Sequence, residues 1–186
     1  GGLGFIVWRD LLEYHQKKKM TIHSKIALTV TGTLLLGGFV VFFFTEHNGA
    51  TLVEGNMFQR LANTFFMSVT PRTAGYYSVD YLHMSHAGLI LTMFFMYIGG
   101  TSGSTAGGLK TTTLGVLLIQ MRSMLKGRTR AEAFGRTIRQ GAVLRALTLF
   151  FVTLTLCVVA IMILSVTETI PKTSGIEYIA FEVFSA

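Results

Sequence analysis

The chain has 186 residues, of which 51% are hydrophobic and only 13% charged, with a mean hydropathy of +0.55. Ordinary soluble domains carry about 25% charged residues, so this composition excludes a soluble globular domain and indicates a membrane chain. The formal net charge of +7 does not indicate a nucleic-acid partner, because the cations are segregated by segment. Arg9, Lys17, Lys18, Lys19 and Lys25 lie in one connector, and Arg122, Lys126, Arg128, Arg130, Arg136, Arg139 and Arg145 lie in another. Clustering in alternate connectors is the positive-inside pattern, which puts both in the cytoplasm, where anionic lipid or a cytosolic partner is a secondary use.

Taken in order, Gly1 to Leu12 reads as the cytoplasmic end of a preceding membrane helix, with Trp8 at interfacial depth and Arg9 and Asp10 at the exit. His15 to Lys25 is a cytosolic connector. Ser24 to Phe44 is a first full span, since about 20 helical residues cross a core of roughly 30 Å. Gly32, Gly37 and Gly38 would let a neighbouring helix approach closely. Thr45-Glu46-His47-Asn48-Gly49 is the external turn.

The next apolar helix, Asn56 to Val69, opens on the capping-box pair Asn56 and Gln59. It stops before Pro71, which disfavours helical dihedrals at Thr70. It is too short to span, so it reads as a re-entrant element, and Ser68 to Val79 carries the chain back out. A broken helix follows from about Met84 to Leu125. Its halves, Met84 to Tyr97 and Thr111 to Leu125, flank the small-residue stretch Gly99-Gly100-Thr101-Ser102-Gly103-Ser104-Thr105-Ala106-Gly107-Gly108-Leu109-Lys110. Non-helical backbone at membrane depth survives only where it is packed in protein or lines a wet cavity. That places this loop on a transport pathway. A phosphate-cradling loop and a plain surface linker are the lesser alternatives, the first disfavoured because that motif needs Lys directly after its second glycine and Leu109 intervenes.

From Leu125 the chain is basic and cytosolic, and Thr129-x-x-Glu132 predicts a short helix with Phe134 and Ile138 on one face. Ala146 to Val166 is a second full span, and Cys157 within it packs without a disulfide partner. Thr167-Glu168 ends this span outside, and Ser174-x-x-Glu177 caps a last apolar helix over 174–186. The order span, Thr-Glu, loop, capping box, apolar helix thus occurs twice, which is an internal repeat. The chain starts and stops abruptly, and it reads as a fragment of a longer polytopic protein.

A re-entrant helix followed by extended backbone is the architecture of a cation pore. The C-terminal end of such a helix carries the negative end of its dipole and favours a desolvated cation. In Thr70-Pro71-Arg72-Thr73-Ala74-Gly75-Tyr76 the small Thr73 and Ala74 leave the backbone accessible. Gly75 reaches dihedrals closed to other residues, as a carbonyl-lined filter requires. Several oxygens must replace the hydration shell, so four such units around an axis are expected.

Phe66-Met67-Ser68-Val69-Thr70-Pro71-Arg72-Thr73-Ala74-Gly75 resembles the third filter of the Ktr/Trk/HKT potassium-transporter superfamily. The stretch from Gly99 to Thr113 resembles the intramembrane loop of the third unit. Gly1-Gly2-Leu3-Gly4-Phe5 resembles the end of the second unit, and His23-Ser24-Lys25 the start of the third, in the manner of a KtrB-type membrane subunit. The resemblance implies an all-α polytopic membrane protein of M1–pore helix–filter–M2 repeats in a potassium-channel-like fold, with a broken M2. On that mapping 1–23 ends the preceding unit, and 24–125 is the third unit (M1 24–44, pore helix 56–69, filter 70–76, broken M2 84–125). The rest, 126–186, holds a connector, the fourth M1 (146–166) and its pore helix.

The resemblance further implies ion binding by Thr73, Ala74, Gly75 and Tyr76, with Gly75 the filter glycine. It implies a gating loop at Gly99–Lys110 and filter support from Arg72. Potassium would be the substrate and sodium a candidate activator, with no resident cofactor in this chain. The partners implied are membrane lipid, a second copy in a homodimer and a cytosolic RCK-type nucleotide-binding subunit, in the bacterial plasma membrane. Tyr76-Tyr77 departs from the family's usual Phe-Asn.

Some residues carry alternatives. Arg72 beside a cation path would repel the ion, so it is expected to point away and pair with an acid. Lys110 either sets a barrier in the pore or reaches the cytosolic interface. His83 and His86 lack a third metal ligand and read as solvated interface residues. Glu182 is an acid inside a membrane helix and therefore functional or paired. An enzyme is not expected, for want of a nucleophile–base pair. An alternating-access cation-coupled transporter is the alternative, but it needs inverted repeats, and both units here run in one orientation.

Overall fold

The computed structural model describes residues 2–46, 56–72, 84–128, 130–167 and 175–185. The filter residues Thr73 to Tyr76, the external turn after Glu46, His83, Thr129 and Ser174 lie outside the described residues. The elements in chain order are α1 (Phe5–Lys17), α2 (Ile22–Thr45), α3 (Met57–Val69), α4 (His86–Tyr97), α5 (Thr111–Leu125), β1 (Glu132–Ala133), β2 (Arg136–Thr137), α6 (Gln140–Thr167) and α7 (Ile176–Ser185). The chain is mostly helical. By length and composition α2 and α6 are each able to cross a membrane.

The 24 residues of α2 rise about 36 Å, and this helix extends the expected span by only a turn. The 28-residue α6 starts at Gln140, well before the expected Ala146. The helix contains the expected span and continues before it, because backbone hydrogen bonding persists where water can solvate Arg145. The predicted helix after Thr129 does not form. Glu132 pairs with Thr137 and Ala133 with Arg136 in an antiparallel hairpin. Its two-residue turn, Phe134-Gly135, has φ of 52° and 74°, the double left-handed geometry whose twist matches paired strands.

The chain divides into two compact units. In the first, Gly1–Leu34 with Ile98–Phe151, the connector between α1 and α2 is closed by Asp10. This side chain is 6% exposed and accepts hydrogen bonds from Ser24 Oγ at 2.6 Å, Thr21 Oγ1 at 2.5 Å and the Thr21 N–H at 3.2 Å. The Ser24 hydroxyl first, and then Thr21, hold its carboxyl below the usual aspartate range. A lowered folded value means that the carboxylate's stabilisation is complete above the unfolded value. It is lost as pH falls through the folded one, in the window below about pH 4. Asp10→Ala in the full-length protein is expected to lower the thermal midpoint in detergent at neutral pH, with the difference from the parent shrinking at the acid end of that window. Also in this unit, α5 meets α2 at Gly115, where an added Cβ would collide with Ile26 and lie 2.9 Å from Val30 Cγ2.

In the second unit, Leu35–Tyr97 with Val152–Ala186, aromatic rings pack the upper half of α2 against α3 and α4. Phe42 and Phe95 are 6.0 Å apart and Phe39 and Phe65 6.4 Å. Of the three glycines expected to admit a neighbour, Gly38 meets one among the described residues. A Cβ there would lie 2.7 Å from the Phe95 ring, whereas Gly32 and Gly37 have nothing within 4 Å among the described residues. Helix α7 lies along α4, with Tyr97 edge-on to Phe184 at 5.9 Å, and Tyr97 also bonds Thr153 Oγ1 at 2.8 Å.

Candidate functional site

The break between α4 and α5 is real and it is tightly built. Ile98 and Leu109, the residues that enter and leave the loop, pair as a single parallel bridge. The Thr111 N–H donates to Gly100 O at 3.0 Å, so the start of α5 is tied to the start of the loop. Inside, the Ser104 N–H and Oγ both donate to Thr101 O, at 3.1 and 2.7 Å, and Ser102 Oγ meets Thr112 Oγ1 at 2.8 Å. Gly103 and Gly108 take φ of 81° and 69°, in the region where a side chain is costly and glycine is not.

The loop is also strapped from outside. Thr101 is fully buried. Its N–H donates to Gly2 O at 2.9 Å, and its Oγ1 accepts from the Gly4 N–H at 2.5 Å across a separation of 97 residues. The contact is close enough that a Cβ on Gly4 would overlap the Ser102 carbonyl, and one on Gly99 the Gly107 carbonyl. Gly99, Gly100, Thr101, Ala106 and Leu109 are buried, whereas Gly103, Thr105, Gly107 and Gly108 are exposed, with Ser102, Ser104 and Lys110 between. Lys110 turns back toward the loop. Its Nζ donates to Ala106 O at 2.5 Å, so the ammonium is folded onto the loop itself. It adds a full positive charge where α5 already presents the positive end of its dipole.

At the other candidate site, the α3 capping box forms, with the Asn56 N–H donating to Gln59 Oε1 at 3.1 Å. Helix α3 ends at Val69 as expected, yet Thr70 keeps helical dihedrals (φ −57°, ψ −45°) and its N–H still donates to Phe66 O at 2.9 Å. The Arg72 N–H then donates to Val69 O at 3.2 Å. Thr70-Pro71-Arg72 therefore closes a turn at the C-terminal end of α3, and Pro71 acts by withholding its own N–H rather than by forcing Thr70 out of the helix. Arg72 is buried, at 8% exposed.

Two side chains that sequence reading passed over anchor these elements. Asp10 is one. Glu46, read as part of an external turn, is fully buried. It accepts from Ser85 Oγ at 2.5 Å and from the Ser85 N–H at 3.3 Å, while Ser85 Oγ accepts from the Gly88 N–H at 3.0 Å. Ser85 is thus the N-cap of α4, and the carboxylate sits at that helix's positive end. An acid at the end of a span was the signal available. Thr111 is also fully buried, and its hydroxyl has no hydrogen-bond partner among the described residues. His86 pairs through Nδ1 with Glu177 Oε2 at 2.9 Å in an exposed contact. Among the described residues no cluster of three or more His, Cys, Asp or Glu is arranged for a metal ion. Glu182, exposed on α7, lends its backbone carbonyl to Ser185 Oγ at 2.9 Å.

These are the parts of a helical membrane protein organised around an interrupted hydrophobic helix. A family model described as "TrkH: Cation transport protein" matches residues 4–186, and the chain belongs to that family. It is 82% identical, over its whole length, to the potassium/sodium uptake protein NtpJ of Enterococcus hirae. It is 34% and 32% identical to the Ktr system potassium uptake protein B of Bacillus subtilis and of Vibrio alginolyticus, again over all of this chain. The chain spans 41% of the length of each of these relatives.

Proposed function

We propose that this chain contributes the third pore-forming unit of a potassium-uptake protein, in which cations move passively through a channel-like path. In this reading α2, α3 and the pair α4–α5 are the M1, pore helix and broken M2 of one unit, and α6 and α7 open the next. Thr73, Ala74, Gly75 and Tyr76 supply carbonyl oxygens to the ion. The C-terminal end of α3 supplies its negative dipole, and Arg72 braces the turn that leads into the filter. The loop from Gly99 to Lys110 is the gate. Potassium is the cargo and sodium an activator, and the chain holds no cofactor of its own. It works as a homodimer in the bacterial plasma membrane under a cytosolic RCK-type nucleotide-binding subunit.

The observation that carries the reading is the strapped break in a membrane helix. A polar loop held shut by hydrogen bonds, rather than by apolar packing, can close a water-filled path and still open at modest cost. The names of the relatives supply the cargo. The test is complementation of a potassium-uptake-deficient cell by the full-length protein, where Gly75→Ser is expected to abolish growth at low potassium. Growth equal to the parent would remove Gly75 from the filter. Shortening Thr101 to Gly107 is expected to raise flux, and an unchanged rate would remove the gate.

A further inference from the structure

On the cytosolic side of the first unit, α2, α5 and the hairpin enclose a groove of about 490 Å³. Helices α2 and α5 touch at Gly115, where only a hydrogen fits against Ile26 and Val30, and the groove opens beside that contact. Its walls are aliphatic, with Val30 and Leu34 from α2 facing Leu118 and Ile119 from α5. Along α2 the wall from Ile26 to Leu34 is about 12 Å long at 1.5 Å per residue. Its mouth is basic, lined by Arg122, Lys126 and Arg128. Glu132 is the one acid among the lining residues, and Arg128 Nη1 already engages it at 2.7 Å. That leaves the mouth with a net positive charge. Phe134, at the hairpin turn, forms part of the wall and lies under Lys25 Nζ, which is 5.7 Å from the ring centroid. A further cation therefore stands at the same rim.

An apolar slot that runs into the bilayer from a cationic rim matches one kind of molecule. We infer that this groove binds an anionic phospholipid of the cytoplasmic leaflet, with the phosphate at Arg122 and Lys126 and one acyl chain along Val30, Leu34, Leu118 and Ile119. The charge arrangement selects an anionic over a zwitterionic headgroup, since cations near a membrane surface each contribute roughly a factor of five toward anionic lipid. The aliphatic wall selects a lipid over a soluble phosphate, because a free anion would leave it facing water. The hairpin holds the rim in shape through its tight turn and the Arg128–Glu132 pair. This gives the segment between α5 and α6 a structural purpose that a plain connector would lack.

The test uses the full-length protein, stripped of lipid in detergent, titrated with phosphatidylglycerol or phosphatidylcholine and read by native mass spectrometry, independently of transport. The parent is expected to retain phosphatidylglycerol in preference to phosphatidylcholine. Arg122→Gln with Lys126→Gln is expected to lower phosphatidylglycerol affinity by about 25-fold, and Leu118→Trp, which fills the slot and keeps every charge, to lower it as well. Arg136→Gln, which removes a cation on β2 outside the groove, should leave it unchanged. Equal loss in the Arg136 variant would mean a general charge effect and overturn the site. Undiminished binding in Leu118→Trp would mean a headgroup held at the surface and overturn the acyl slot. Complete displacement by millimolar inorganic phosphate would make the site one for soluble anions and overturn it too. A thermal midpoint that phosphatidylglycerol raises in the parent and not in the double variant would confirm binding by folded protein.

Discussion

Gly99→Ala in the full-length protein is expected to lose about 2–4 kcal/mol of stability, while Gly107→Ala, a few residues away in the same loop, stays within about 0.5 kcal/mol of the parent. The two glycines look interchangeable in the sequence and are opposites in space. A methyl on Gly99 would occupy the position of the Gly107 carbonyl oxygen, whereas a Cβ on Gly107 meets nothing within 4 Å among the described residues. To admit the methyl, the two sides of the loop must part. That breaks the Ile98–Leu109 bridge and strains the 3.0 Å bond from the Thr111 N–H to Gly100 O. Thermal unfolding in detergent, with yield of folded protein as a second readout, checks the pair. Equal midpoints would mean that the loop is looser than its hydrogen bonds indicate.

The second large effect concerns flux. Thr101→Val keeps the shape of a fully buried side chain and deletes the oxygen that accepts from the Gly4 N–H. A buried donor left without its acceptor costs about 1–3 kcal/mol, and the cost falls only on the loop's strapped position. On the proposed reading that position is the closed gate, so the equilibrium moves toward open by roughly five- to 150-fold. Potassium uptake into depleted cells should rise several-fold, until another step limits it. Thr101→Ser keeps the oxygen and should behave as the parent. Uptake that is unchanged in Thr101→Val would show that the strap holds the fold and takes no part in conduction.

The long apolar helices and the Asn56–Gln59 cap were legible in the sequence because their causes are local. A bilayer sets the length of an apolar run, which fixed α2 closely, and Asn56 with Gln59 announced α3 from four residues. The glycine-rich interruption after Tyr97 was equally plain. Its internal order was not, because hydrogen bonds between residues 97 apart leave no periodic trace. Glu46 meeting Ser85 across 39 residues was hidden for the same reason. The hairpin failed for another cause. The Thr-x-x-Glu match points to a helix, and Phe134-Gly135 gives no turn signal, because its first residue is an unusual occupant of left-handed backbone where Asn or Asp would announce the turn. At Arg145 a charge ends the apolar stretch but not the helix, which begins at Gln140.

The strap at Gly2 to Gly4 leads straight into α1, whose first residue, Phe5, also donates its N–H to Gly103 O at 3.4 Å. Helix α1 is in turn clasped to the start of α2 through Asp10 and Ser24. Loop and helix are therefore joined through a short covalent strap. On the proposed reading of the loop as a gate, a displacement of α1 would reach it through Gly2 to Gly4 and would be felt at the start of α2 as well.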